Sequence, residues 1–495
     1  MPDRGRSSQP WILAATILGS SLVFIDGSVV SIALPELQET FRASASAAQW
    51  VVEGYMLVLG ALILLGGALG DRYGRRLLFI LGVIVFAAGS LLCGLSTSMP
   101  ALIAWRVLQG LGGTMLAPAS LALIGACFEG AERGKAIGTW SGLTAVASAV
   151  GPVAGGAVID HWGWRWVFFI NLPIALAVVL VSLRHVPESR DENERGAPDI
   201  LGSLLVTTAL AGIVYAFIGS GQGGWTALPI ASLCAGVVAL ALFLLFESKT
   251  PHPILPLSLF ARRDFTGINV MTLLLYGALS GLFYFLPFVM IQVDEYPATI
   301  AGAAMLPFIA VVVLLSRFSG ALSYRVGPRI LLITGPLVTA VGFALLGLLH
   351  HLQFWNAIVP ANAVIGLGMG ITVSPLTATL LESVPEAHVG LASGINNAAS
   401  RVAGLLAIAV LGALLSAVFN ARLESRLPSL SQQQQRDVNA QRTAMAAARL
   451  RDSAEIAAVH GAYTDGFRAV AFACTTLTVL SAAVSALTLP KVHRA

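Results

Sequence analysis

Long apolar runs recur along the chain, each about as long as a helix crossing a bilayer and each ended by a short polar stretch. A hydrocarbon core of about 30 Å takes roughly 20 apolar residues at 1.5 Å per residue. Runs of that length fall at 11–33, 50–69, 77–97, 100–122, 136–158, 166–186, 200–219, 227–246, 266–292, 299–317, 330–350, 357–381, 391–418 and 467–489. The pattern predicts fourteen membrane-spanning helices in an all-α polytopic membrane protein. The first run follows Arg4 and Arg6 as a leader would, but it is too long for one, carries Asp26 and lacks a small-residue cleavage site. It reads as a retained helix.

The charges between the runs orient the chain, because lysine and arginine concentrate in cytoplasmic loops. One side holds Arg4 and Arg6, then Arg72, Arg75 and Arg76, Arg133 and Lys135, Arg184, Arg190 and Arg195, Lys249, Arg262 and Arg263, and Arg325 and Arg329. The short loops of the other side hold Arg42 and Arg165. Both termini are expected in the cytoplasm. The connection 419–466 runs against this bias, since it carries six arginines yet is expected on the periplasmic side, as an exposed amphipathic loop with Gln432–Gln435 at its centre.

Composition narrows the class. Of 495 residues 56% are apolar and 11% charged, against about 25% charged in a soluble domain. So few charges cannot cover water-soluble domains, and so many apolar residues exclude disorder. The small net charge of +4 gives no support for a nucleic-acid partner. Cys93, Cys127, Cys234 and Cys474 lie too far apart for a metal site or a disulfide framework, and read as small core residues.

An internal repeat sets the architecture. Gly67-Ala-Leu-Gly-Asp-Arg-Tyr-Gly-Arg-Arg76 and Gly320-Ala-Leu-Ser-Tyr-Arg-Val-Gly-Pro-Arg329 agree at six of ten positions, each in a loop on the basic side. The first follows the second run and the second the tenth, an offset of eight helices. Duplication of a six-helix unit gives an offset of six, so two helices are inserted between the halves. The expected division is an N-terminal six-helix half over 1–186, a cytoplasmic linker over 187–199, two inserted helices and a loop over 200–264, and a C-terminal half over 265–495. Two parallel halves around a midplane site are a transporter design.

These residues resemble the major facilitator superfamily, in particular its fourteen-span drug:proton antiporters. The loop signature of that family is carried by Gly67, Leu69, Asp71, Arg72, Gly74, Arg75 and Arg76, where an acid can cap a helix or pair with arginine as the halves rock. Its exporter motif is similar to Ala147–Gly156, with Gly151, Pro152, Gly155 and Gly156 in place and Ala147 for the leading glycine. Further likeness lies in Trp162–Pro173, Pro253–Phe260 and Gly390–Asn397. The second copy of the loop has Tyr324 where the acid belongs, so the resemblance implies an asymmetric gate.

Charges inside membrane spans are costly, which makes each a functional candidate. Counting 1.5 Å per residue places Asp26 about 12 Å, Glu53 about 5 Å and Arg106 about 9 Å below one edge. The resemblance implies proton coupling at Asp26, shared with Glu53 and opposed by Arg106, with Glu53 nearer to water. Arg401 falls near mid-membrane and must face a cavity or a partner. Asn396, Asn397 and Arg401, with the aromatic Tyr55, Trp105, Tyr276 and Tyr284, are candidate cavity residues for a greasy or cationic cargo.

Enzymatic motifs are missing from the sequence: Gly138-Thr-Trp-Ser-Gly142 does not fit a nucleophile elbow, Gly366–Gly370 lies within a helix, and no phosphate-binding loop occurs. The expectation is a non-enzymatic, monomeric inner-membrane transporter that needs no cofactor or metal and exports hydrophobic or cationic small molecules against inward proton flow. A dedicated exporter of one endogenous metabolite, siderophore or lipid is the alternative, and a membrane sensor or membrane enzyme the weaker one.

Overall fold

The computed structural model describes residues 3–190, 199–250, 253–348, 353–385 and 388–490, and among them it is almost wholly helical with no strand. Inside lipid, backbone groups find no water, so a spanning segment must bond internally, as a helix does. Among the described residues fourteen helices are long and apolar enough to cross a membrane. They are α1 (Asp3–Phe41), α2 (Ala45–Tyr73), α3 (Arg75–Gly94), α4 (Met99–Cys127), α5 (Gly130–Trp162), α6 (Arg165–Phe169, continuing as Asn171–His185), α7 (Ile200–Gly223), α8 (Ala227–Glu247), α9 (Arg263–Phe288), α10 (Leu306–Val326), α11 (Pro328–Leu348), α12 (Val359–Glu382), α13 (Val389–Arg426) and α14 (Ser453–Thr488). Each overlaps one of the apolar runs. The charged linker lies largely outside the described residues, Arg195 included.

Helices α1–α6 and α9–α14 pack in matching pairs: α1 on α5 as α9 on α13, α2 on α4 as α10 on α12, and α3 on α4 as α11 on α12. Helices α7 and α8 pair with each other, and α7 rests against α2 and α13. The two sets of six meet along α2 and α13. They also meet where α5 reaches the short helix Ala298–Ala303 that precedes α10.

Three sequence expectations need correction. The run at 299–317 is not one helix: the chain turns at Ala304–Met305, and Pro307 in the first turn of α10 starts a new helix, where a missing amide hydrogen costs nothing. The connection 419–466 is mostly not a loop. Helix α13 runs to Arg426 and α14 starts at Ser453, because Phe419 and Leu423 of α13 and Val459 and Ala462 of α14 still bury apolar surface there. Thirty-eight residues give α13 about 57 Å, well beyond the bilayer core.

The segment between these helices carries an exposed amphipathic helix, as expected, but it is also tied back onto the helices beside it. A capping box between Ser431 and Gln434 starts the helix Gln432–Ala440. Arg442 then donates to Asn420 (2.7 Å) and Glu424 (2.8 Å), which ties the return segment to α13. Met445 and Ala446 are buried. Among the cysteines, Cys93 and Cys474 are core residues as expected, but Cys234 is exposed on α8, whose outward face needs only to be apolar.

Candidate functional site

Asp26, Arg106 and their neighbours form a buried polar cluster inside the α1–α6 unit. Arg106 Nη1 lies 2.5 Å from Asp26 Oδ2, and Gln109, one turn further along α4, donates to Asp26 Oδ1 at 2.7 Å. Nη1 also donates to Gln109 Oε1 (2.7 Å), and Nε to the Val51 carbonyl of α2 (3.1 Å). The guanidinium carbon stands 4.2 Å above the Tyr55 ring. Asn171 of α6 joins through Ser90 of α3 (3.0 Å) and reaches Asp26 at 3.5 Å, while Ser90 donates to the Phe168 carbonyl. Both Asp26 and Arg106 are 1% exposed.

Two charges taken out of water repay their desolvation only when geometry is good and the remaining donors and acceptors are satisfied. Here five helices supply those partners, so the pair fixes the α1–α6 unit as well as holding charge. Gln109 stands one helical turn from Arg106 on α4, and that spacing was the available signal. Asn171 falls within the Trp162–Pro173 stretch, whereas Ser90 left no comparable signal in the sequence.

Glu53 does not join this cluster. It lies two residues from Val51 and Tyr55, about 200° round α2, and so faces the other way. Its side chain is fully buried rather than near water, and neither carboxylate oxygen has a hydrogen-bond partner. Gln49, one turn away on α2, and Tyr284 of α9 are its polar neighbours, with Tyr463 of α14 beside Tyr284. Glu53 therefore sits where the two sets of helices face each other. An ionised carboxylate there has no counter-charge, whereas Asp26 has two strong partners.

At the end of the molecule marked by Asp160 the two units are latched. The Asp160 carboxylate accepts from the Ala298 amide (3.0 Å), the Thr299 amide (2.9 Å) and the Thr299 hydroxyl (2.6 Å). Gly156 packs against the backbone of Ala298, and Gly302 against the carbonyl of Pro152, so closely that a side chain at either glycine would overlap them. Gly151 and Gly155 instead face Ser28 and Val29 of α1. Beside this latch Gln292 donates to Gln38 (3.2 Å), and Gln38 to the Ala444 carbonyl (2.9 Å). A cavity of about 450 Å³ lies there, lined in part by Gln38, Gln49, Tyr284, Gln292, Arg442 and Tyr463.

Toward the opposite end, marked by Asp71, α5 and α10 stand apart, which opens this end between them. Gly134, Gly138 and Gly142 of α5 have no neighbour in the direction of a side chain. Leu143, Val146 and Val150 of α5 and Val313, Leu314 and Phe318 of α10 are exposed. In the loop at this end Gly74 takes φ +126°, which a residue with a side chain rarely adopts. Asp71 pairs with Arg75 at 2.6 Å, and Arg72 lies over the Tyr73 ring. Arg76 donates to the Leu183 carbonyl. Glu188, which the sequence reading missed, accepts from the amides of Arg76 (3.0 Å) and Leu77 (3.2 Å) and so caps α3 from the start of the linker.

The remaining candidate residues are dispersed. Asn396 holds α13 to α9 through Asn269 (3.1 Å) and Thr272 (2.8 Å). Asn397 is exposed and bonds back to the Ser393 carbonyl. Tyr276 and Trp105 are half-buried.

The family model described as Major Facilitator Superfamily matches residues 16–408. The chain belongs to the Major Facilitator Superfamily. Within it, the chain is 34% identical over 417 residues to the multidrug resistance protein Stp of Mycobacterium tuberculosis, covering 84% of this chain and 77% of that protein. It is 32% identical over 471 residues to the tetracenomycin C resistance and export protein of Streptomyces glaucescens, covering 94% and 85%. The multidrug efflux pump LfrA of Mycolicibacterium smegmatis is 33% identical, covering 84% and 83%. A bacterial homologue of the human lysosomal transporter Spinster, solved inward-facing and unoccupied, superposes with a TM-score of 0.67 at 18% identity over 97% of both chains. That likeness shows the facilitator fold. A multi-pass, non-enzymatic membrane transporter of small molecules follows from the family and the fourteen spans.

Proposed function

We propose that the protein exports hydrophobic small molecules, drugs among them, in exchange for protons, and that Glu53 carries the proton. One observation carries this reading: Glu53 is a fully buried carboxylate with no counter-charge, its polar neighbours being Gln49 and Tyr284, on the surface where the two six-helix units meet. A group so placed can take up and release a proton without breaking an ion pair, and its charge matters most while the halves are closed around it. Asp26 and Arg106 then act as the fixed charge that the moving half turns against. The names of the relatives, resistance and efflux proteins, support export over uptake.

In this reading the Asp160 end is periplasmic, the Asp71 end cytoplasmic, and the chain is held in the state open to the cytoplasm. Alternating access would open the Asp160–Thr299 and Gln38–Gln292 latches and close α5 on α10. A reporter active only in the cytoplasm, fused after Glu192 and after Gln435, is expected to be active at the first position alone. Activity at both would reverse the orientation of α14 and the segment before it.

Direction and energy are tested in cells. Cells making the protein are expected to accumulate less of some members of a panel of lipophilic dyes differing in charge, and a protonophore should abolish the difference. Efflux that persists after collapse of the proton gradient, with ATP still present, would refute proton coupling.

A further inference from the structure

Arg401 is a cation near mid-membrane that the protein leaves unmatched. It lies twelve residues beyond the start of α13, about 18 Å along the axis, too deep for its side chain to reach either surface. Among the described residues no carboxylate and no hydrogen-bond acceptor engages it, and Tyr55 is the group within its electrostatic reach. Part of its surface stays open. Arg106, the other deep arginine described above, by contrast bonds Asp26, Gln109 and the Val51 carbonyl.

Helical geometry fixes the direction in which Arg401 points. Val402, Leu405 and Ala409 turn toward α7, and Ala403 and Ala407 lie against Gly277 of α9. The face between them meets α2, where Gly60 packs on Arg401 and Gln49 bonds to the Ile408 carbonyl. Arg401 thus looks across the junction of the two halves, and the exposed Asn397 lies one turn nearer the open end. Glu53 is on the same face of α2 as Gly60 but about 10 Å further along, two turns away. It does not neutralise the arginine.

An unmatched guanidinium at this depth persists only where something else supplies its counter-charge. We propose that Arg401 is the receptor for an acidic group on the cargo, a carboxylate or a comparable oxyanion attached to an apolar body. A planar guanidinium holds such a group through two parallel charge-assisted bonds. The aromatic residues of the sequence suit a greasy or cationic cargo, but Tyr55 lies beneath Arg106 and Tyr284 lies at the cavity of the Asp160 end. This assignment rests on the export reading and adds the chemistry of what is exported.

The test uses three aromatic probes of one shape: 1-naphthoate, 1-naphthamide and 1-naphthylmethylammonium. Their binding to the full-length purified protein is measured by titration calorimetry, for the unaltered chain and for Arg401→Gln and Arg401→Lys. The unaltered protein is expected to bind naphthoate at least about tenfold tighter than the other two, as a charge-assisted bond requires. Arg401→Gln should remove that preference while keeping its naphthamide affinity, which shows the fold intact, and Arg401→Lys should keep part of it. Naphthoate that binds unaltered protein no tighter than naphthamide, or unchanged binding in Arg401→Gln, would overturn the proposal. Dye efflux measured in parallel separates the two readings: efflux of neutral dyes with no naphthoate preference removes the anion receptor alone, whereas no efflux of any dye removes export itself.

Discussion

Arg106→Met is expected to destabilise the N-terminal half by about 3–5 kcal/mol, the cost of leaving a buried carboxylate without its counter-charge. The methionine fills much of the same space, so the loss belongs to the charge rather than to a cavity. Asp26 would keep only Gln109 and the distant Asn171, and Val51 and Tyr55 would lose the group that joins α2 to α4. Asp26→Asn alone leaves the arginine buried with a neutral partner and should cost a similar amount. Combining Asp26→Asn with Arg106→Met should restore part of the stability, because neither charge then remains. Thermal unfolding of the four purified proteins checks this as a double-mutant cycle. A strictly additive cycle would show that the pair is not coupled.

Glu53→Gln has the opposite signature: little change in stability and loss of gradient-driven efflux. The glutamine is isosteric, and the site it enters offers few partners to lose, since both oxygens of Glu53 are already unbonded. What disappears is the exchangeable proton. A gradient of one pH unit supplies about 1.4 kcal/mol for each proton, enough to hold roughly a tenfold cargo gradient. The variant should hold none, while downhill exchange of cargo across the membrane continues. Efflux into vesicles under an imposed pH gradient, at matched protein level, measures this. Loss of Asp26 in the same assay should follow its loss of folded protein, and an efflux defect in Asp26→Asn beyond that would move the proton back to Asp26.

Helix number and order were legible because hydropathy reports contact with lipid, and every spanning run was also long enough to cross. Where helices leave the bilayer, that signal stops. Phe419 and Leu423 continue the buried stripe of α13 into a stretch rich in arginine, which only the packing of α14 makes helical. Depth along a helix was readable, and it brought Asp26 and Arg106 to one level. Rotation about the helix was not, because it depends on which neighbours α2 acquires. Depth alone therefore makes Glu53 a shallow companion of Asp26, although α2 turns Val51 and Tyr55 toward Arg106 and Glu53 toward α9 and α14. Asp160 and Glu188 escaped notice for a related reason: each bonds amides more than a hundred residues away, and a backbone amide leaves no mark in a sequence.

Coupling of proton and cargo through Glu53 is tested most directly in proteoliposomes that trap a pH-sensitive dye. A cargo gradient is imposed with no pH gradient, using a dye that cells are found to export. Cargo flowing downhill through the unaltered protein is expected to drive protons in the opposite direction, and in Glu53→Gln the same cargo flow should move none. Proton movement that survives in Glu53→Gln, or cargo flow through the unaltered protein with no proton movement, would contradict the assignment.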